Sequence, residues 1–141
     1  MTNNERNKQT VRHFFEAIEA EDAGSIANLF APDGVHINPY HCGMFPEGAN
    51  GREAIKDYWE PTFPNFDGME FPIHDLFAME DDRVFVRYTG RIKLKDDAGW
   101  YENEYFSTFA FDKGGSITEY VEVFNPVVAA KGFGLFDKLS G

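Results

Sequence analysis

RVFVRYTGRIKLKDDAGWYENEYFSTFAFDKGGSITEYVEVFNP, Arg83 to Pro126, decides how this 141-residue chain folds. It holds three runs rich in β-branched and aromatic residues, Arg83–Lys95, Trp100–Phe111 and Ser116–Val128. The turn-forming clusters Asp-Asp-Ala-Gly and Asp-Lys-Gly-Gly separate them, and Met69–Met79 forms a fourth run upstream, across Glu-Asp-Asp. A four-residue turn at Asp96–Gly99 sets Lys93 opposite Glu102 and Arg91 opposite Glu104. Arg83, Arg87, Arg91, Lys93 and Lys95 then share a wet face of cross-strand ion pairs, each worth little. The opposite face carries Val84, Val86, Tyr88, Ile92 and Leu94 beside Tyr101, Asn103, Tyr105, Ser107, Phe109 and Phe111. A second four-residue turn at Asp112–Gly115 places Tyr105 opposite Glu122, Ser107 opposite Tyr120 and Asn103 opposite Phe124. Glu122 thus falls on the aromatic face, and Val121 and Val123 on the outer face with Phe106 and Ala110. Strand side chains alternate, so a one-residue slip in either turn reverses these assignments. Asp75 is expected on the inner face, opposite Tyr88.

Upstream the period changes. Val11, Phe14, Phe15 and Ile18 recur at helical spacing within Glu5–Ala20. Asp22 caps a short second helix with Ile26, Leu29 and Phe30 as its buried stripe. Ala-Pro-Asp-Gly breaks that helix and Val35–Asn38 reads as a short strand. Pro39–Asn50 reads as a long loop, and Asn50 with Glu53 resembles a capping box opening a third helix through Ile55, Tyr58 and Trp59. Pro61 and Pro64 end it. Helices followed by a strand meander predict an α+β fold, three N-terminal helices packed on one face of a curved antiparallel sheet. Residues 1–141 suffice for one domain with a real core.

Composition narrows the function. The 43% hydrophobic and 16% aromatic content marks a globular chain with either a large core or an aromatic-lined cavity. A formal charge of −11 argues against nucleic acid and against anionic membrane surfaces, since both are bound through Lys and Arg. A single cysteine, Cys42, excludes an internal disulfide and a cysteine-based zinc site. No apolar run is long enough to span a bilayer, and MTNNERNKQT lacks the apolar segment of a signal peptide, so a cytoplasmic location is expected.

Glu122 is the residue on which chemistry would turn. A carboxylate on an aromatic face is costly unless paired or protonated, and burial raises its pKa toward the range of a general acid or base. Alternatively it accepts a hydrogen bond from Tyr88, Tyr105 or Tyr120 and specifies the core. The outer face, apolar at Val121, Val123, Phe106 and Ala110, suggests a homodimer contact. His36 and His41 flank the Asn-Pro-Tyr loop start without an acidic partner at metal-ligand spacing, and read as solvated loop residues, with Tyr40 or His41 also candidates for a pocket mouth. No phosphate loop, Ser-His-Asp order or nucleophile elbow is present.

Three N-terminal helices, the loop after Asn38-Pro39, the GREAI entry to helix three, FPNF and four long strands resemble the nuclear transport factor 2-like superfamily over about Lys8 to Val128. The resemblance is closest to its SnoaL-like and phenazine-biosynthesis PhzA/PhzB-like branches, because YENEYFSTFAFDKGGSITEYVEVFNP is similar to a block in which Tyr-x-Asn precedes Glu-x-x-Asn-Pro. It implies a cone-shaped, barrel-like fold with an apolar pocket between helices and sheet, dimeric through the outer sheet face. It also implies cofactor-independent acid/base chemistry on a small cyclic carbonyl or imine compound, or a non-catalytic ligand-binding role. The motif glutamate, the proposed acid/base of that branch, corresponds to Glu122, and its helix-three histidine to Tyr58. Tyr58, Tyr105, Tyr120 and Asn103 are expected to orient the ligand, with Phe15, Trp59 and Phe124 as apolar walls. In the ketosteroid isomerase branch the base, the oxyanion tyrosine and the protonated aspartate correspond to Asn38, Phe14 and about Ser107, which disfavours steroid-type isomerisation.

Overall fold

A computed structural model describes residues 1–139. Helix α1 (Asn3–Glu19) opens with a capping box in which the Glu5 amide donates to Thr2 Oγ1 and the Thr2 amide to the Glu5 carboxylate. Asp22 caps α2 (Ala23–Asn28) by accepting from the Ser25 amide. Phe30, expected on that helix, instead opens strand β1 (Phe30–Ile37), which also takes in Ala-Pro-Asp-Gly. The loop that follows contains a short strand, β2 (Gly48–Asn50). Helix α3 (Arg52–Trp59) starts at Gly51 with no side-chain cap, so Asn50 and Glu53 do not form a capping box. Its start is fixed differently: the Arg52 guanidinium donates twice to the Phe30 carbonyl, at 3.0 and 2.7 Å, pinning α3 to β1. The sheet continues with β3 (Phe66–Glu70), β4 (Ile73–Ala78), β5 (Val84–Leu94), β6 (Trp100–Phe111) and β7 (Ile117–Phe124). The expected strand Met69–Met79 is two strands because Pro72 cannot donate to the ladder. The expected strand Ser116–Val128 stops at Phe124, where Asn125 accepts from the Val127 and Val128 amides and starts a fourth helix, α4 (Pro126–Gly132).

The sheet runs β2-β1-β7-β6-β5-β3, with β4 also on β5. It is antiparallel except that β1 lies parallel to β7, setting His36 beside Tyr120. The sheet and the helices enclose an aromatic core centred on Phe14, whose ring meets those of Phe15, Phe30, Trp59, Phe109 and Tyr120 at 4.8–6.5 Å.

Both hairpins differ from the expected register, and the difference keeps the side chains around Glu122 on their expected face, whereas Ile117, expected outside, is buried. Between β5 and β6 the turn is closed by Leu94 and Gly99, one residue earlier than expected, with Asp96 and Asp97 at positive φ. Arg91 therefore faces Glu102 and Lys93 faces Trp100, a shift of two. Between β6 and β7, the Asp112 amide meets the Ser116 carbonyl, and a bulge near Thr118 adds a further residue. Two one-residue offsets sum to two, so Ser107 faces Glu122, Tyr105 faces Phe124, and Glu122 stays inside. Asp75 shows the opposite case. An irregularity between Ile73 and Asp75 makes a single slip, so Asp75 pairs with Arg87 on the outer face at 2.7 Å instead of facing Tyr88.

Gly48 lets β2 approach β1. Its φ is +127°, and a Cβ there would lie 1.9 Å from the His36 carbonyl oxygen. Gly48→Ala is expected to destabilise by about 2–4 kcal/mol, measured by urea unfolding, because both the backbone strain and the clash act on β1.

Candidate active site

Between α3, α4 and the inner sheet face lies a cavity of about 240 Å³. Glu122 on β7, Tyr58 and Trp59 on α3, Tyr105 on β6, and Phe124 at the end of β7 all line it. Tyr120 and Asn103 stand one layer behind. Tyr120 touches the site through Glu122, and Asn103 donates to the Tyr101 hydroxyl at 2.7 Å and to the Asn125 carbonyl at 3.0 Å. Phe15 is a core residue whose ring lies 4.5 Å from that of Tyr88, tilted by 55°, and it is absent from the cavity wall. Tyr40 is 54% exposed and His41 accepts from the Gly43 amide, both in the loop outside the wall. Asp75 lies across the sheet.

Glu122 keeps 14% of its side-chain surface exposed, at the cavity wall. The Tyr120 hydroxyl donates to Glu122 Oε2 at 2.7 Å. Tyr120 is 3.0 Å from the Tyr88 hydroxyl, which is 3.0 Å from Ser107 Oγ. Since Tyr120 gives its proton to Glu122, the chain is consistent only as Ser107 to Tyr88 to Tyr120 to Glu122. Burial disfavours the carboxylate and pushes Glu122 up to about 7, with the Tyr120 hydrogen bond pulling back. Burial likewise drives the Tyr58, Tyr88, Tyr105 and Tyr120 phenols above their ordinary values, and the Glu122 charge adds to each, so all four stay protonated near neutral pH.

The residue that sequence reading misplaced is His36. It is 2% exposed on β1, its ring 4.6 Å from Tyr120, 6.3 Å from Trp59 and 4.9 Å from Tyr58. Nε2 lies 3.8 Å from Glu122 Oε2, close enough for an ion pair but beyond a hydrogen bond. Neither ring nitrogen has a hydrogen-bond partner among the described residues. Burial pushes the imidazole down to about 4, with Asn38 acting the other way. Near neutral pH the histidine is therefore uncharged. The apolar alternation of Val35 and Ile37 pointed the other way, yet His36 and Asn38 are the buried pair and Ile37 is exposed.

Asn38 reaches the cavity just past β1. Its Nδ2 donates to the Pro46 carbonyl at 2.8 Å and to the Tyr58 hydroxyl at 3.4 Å, which leaves the Tyr58 proton uncommitted among the described residues. Ala129 and Phe133, at the far side, come from the unforeseen α4 and the turn after it, and the Phe133 ring lies 4.3 Å from Tyr101. Among the described residues no group of three His, Cys, Asp or Glu is placed to hold a metal ion. No described helix is long and apolar enough to cross a membrane.

The chain matches the model of the SnoaL-like domain over residues 11–120, which ends two residues before Glu122. No curated protein matches it by sequence. Among solved structures, a candidate isomerase from Bacillus subtilis is 23% identical with a TM-score of 0.85, over 96% of this chain and 97% of the other. A phenazine biosynthesis-related protein from Pseudomonas aeruginosa is 20% identical with a TM-score of 0.81, over 94% and 83%. An LEH-like epoxide hydrolase of M. tuberculosis is 19% identical with a TM-score of 0.74, over 90% and 88%. At these identities the likeness is one of fold.

Proposed function

For this chain, which belongs to the SnoaL-like domain family and has the nuclear transport factor 2-like fold, we propose cofactor-independent acid/base catalysis on a small cyclic carbonyl or imine compound in the cytoplasm. Glu122 moves the proton, Tyr58 donates a hydrogen bond to the substrate, and Trp59, Tyr105 and Phe124 confine it. The observation that carries this reading is a carboxyl group at the wall of an apolar cavity, raised to about 7 and oriented by one tyrosine. A general acid or base works best with a pKa near the operating pH. The solved relatives named for isomerisation, phenazine biosynthesis and epoxide hydrolysis support a catalytic use of this fold. The cavity, about 240 Å³, is larger than the roughly 150 Å³ that encloses benzene, so one or two rings fit.

A generic substrate tests the base without knowledge of the natural one. Loss of the carbon-bound proton of 5-nitrobenzisoxazole breaks its N–O bond and releases a coloured phenolate. Acceleration over buffer that disappears in Glu122→Gln is the expected result. Acceleration unchanged in that variant, or none in the wild type, contradicts the proposal and leaves a ligand-binding protein.

The proposal includes a homodimer through the outer face. Phe77 and Phe106 are 56% and 41% exposed there, with Phe85 between their rings at 6.2 Å from each. Through the strand register this patch continues to Val121 and Val123. Phe106→Arg is expected to convert a dimer into a monomer in sedimentation velocity without loss of helix or sheet signal.

A further inference from the structure

We infer that the ligand of this cavity is a small organic cation, an ammonium or iminium compound, held with its charged nitrogen at Glu122 and its carbon groups against ring faces. Resting on the acid/base reading above, this narrows the substrate to one class. Among the described residues Glu122 is the sole charged one of the wall, and no Lys, Arg or His lines it. Phe45, Tyr58, Trp59, Tyr101, Tyr105 and Phe133 supply aromatic surface, whose faces attract positive charge. The nearest basic group, His36, is buried behind Glu122 between the Tyr120 and Trp59 rings, and burial lowers its pKa so that it is uncharged near neutral pH. Near neutral pH, with His36 uncharged, an ionised Glu122 therefore has no counter-charge at the cavity wall among the described residues. A neutral ligand leaves that deficit in place and an anionic one worsens it, whereas a cation removes it. The formal charge of −11 adds long-range attraction for a cation.

The chemistry agrees with the charge. Glu122 takes a C–H proton next to an iminium carbon, the C–H electron pair forms the new C=C bond, and the C=N π pair moves to nitrogen. The product is a neutral enamine beside a neutral carboxylic acid, so charge is annihilated inside an apolar cavity.

Choline and its neutral isostere 3,3-dimethylbutan-1-ol separate charge from shape. The groups facing Glu122 are His36 on β1, Tyr58 on α3, Tyr88 on β5, Tyr101 and Tyr105 on β6, and Tyr120 on β7. The phenols are all raised and His36 is lowered, so Glu122 alone titrates between pH 6 and pH 8. Its ionised fraction goes from about a tenth to about nine tenths over that range, so choline affinity, read by NMR titration, rises about tenfold. Glu122→Gln removes that pH dependence and weakens choline binding at pH 8, and the alcohol is unaffected by either change. Choline binding that is absent, independent of pH, or unchanged in the variant overturns the inference. If that happens while nitrobenzisoxazole opening still depends on Glu122, acid/base catalysis stands and the cationic substrate falls. If both fail, both fall.

Discussion

Glu122→Gln is expected to lower the rate of nitrobenzisoxazole opening at pH 8 by about 10²- to 10⁴-fold, the usual contribution of a positioned base. Glutamine keeps the shape of the side chain and can accept the Tyr120 hydrogen bond, so the fold survives and only the proton acceptor is lost. In the wild type the rate rises with pH and levels off above about 7, because the carboxylate is the active form and burial holds its titration there. A natural reaction that uses Glu122 as an acid runs the other way, falling above the same midpoint. Among the described residues no other group of the wall can take over. The phenols around the carboxyl are raised, and His36 lies outside the cavity wall. Tyr58→Phe removes one hydrogen-bond donor and is expected to weaken turnover less than the loss of Glu122.

The same substitution is expected to stabilise the protein at pH 8 by roughly 3 kcal/mol, following from a pKa near 7 in the fold against 4.5 in the unfolded chain. A raised carboxyl binds more protons folded than unfolded between those values. Wild-type stability therefore falls through this group as pH rises from about 4.5 to 7, and glutamine removes that loss. His36 acts in the opposite sense. Its folded pKa of about 4 lies below the ordinary 6.5, so the unfolded chain binds the extra proton and stability rises with pH across that interval. Where the two windows overlap, from about 4.5 to 6.5, the slopes cancel. The wild type should be nearly flat there, while Glu122→Gln exposes the rise due to His36 and then stays flat above pH 7. Urea midpoints collected across pH read both effects.

The inner face of the sheet was legible because alternation survives any even error. Both hairpin turns were placed wrongly, yet a shift of two left Glu122, Tyr105 and Phe124 facing inward. Asp75 was lost because its bulge makes an odd shift, and sequence carries no clear mark of where a ladder bulges. His36 was hidden for a different reason. A short strand beside a Pro- and Gly-rich loop reads as surface, and its burial comes from β7, Trp59 and Tyr58 packing on it from distant parts of the chain. Helix α4 could have been read. Asn-Pro serves as cap and first-turn residue as readily as it stops a strand, and Ala129, Ala130 and Lys131 continue a helical pattern. Missing it hid the Ala129 and Phe133 side of the cavity. The resemblance sets Tyr58 where its branch carries a helix-three histidine, and in this fold an imidazole reaches the glutamate from β1.

Catalysis and cation binding both depend on a carboxyl group that titrates near neutrality inside an apolar cavity. The direct measurement is the ¹³C chemical shift of the Glu122 carboxyl carbon against pH, assigned by its absence in Glu122→Gln. A midpoint near 7 is the predicted result. A midpoint in the ordinary glutamate range, about 4.3, would contradict it.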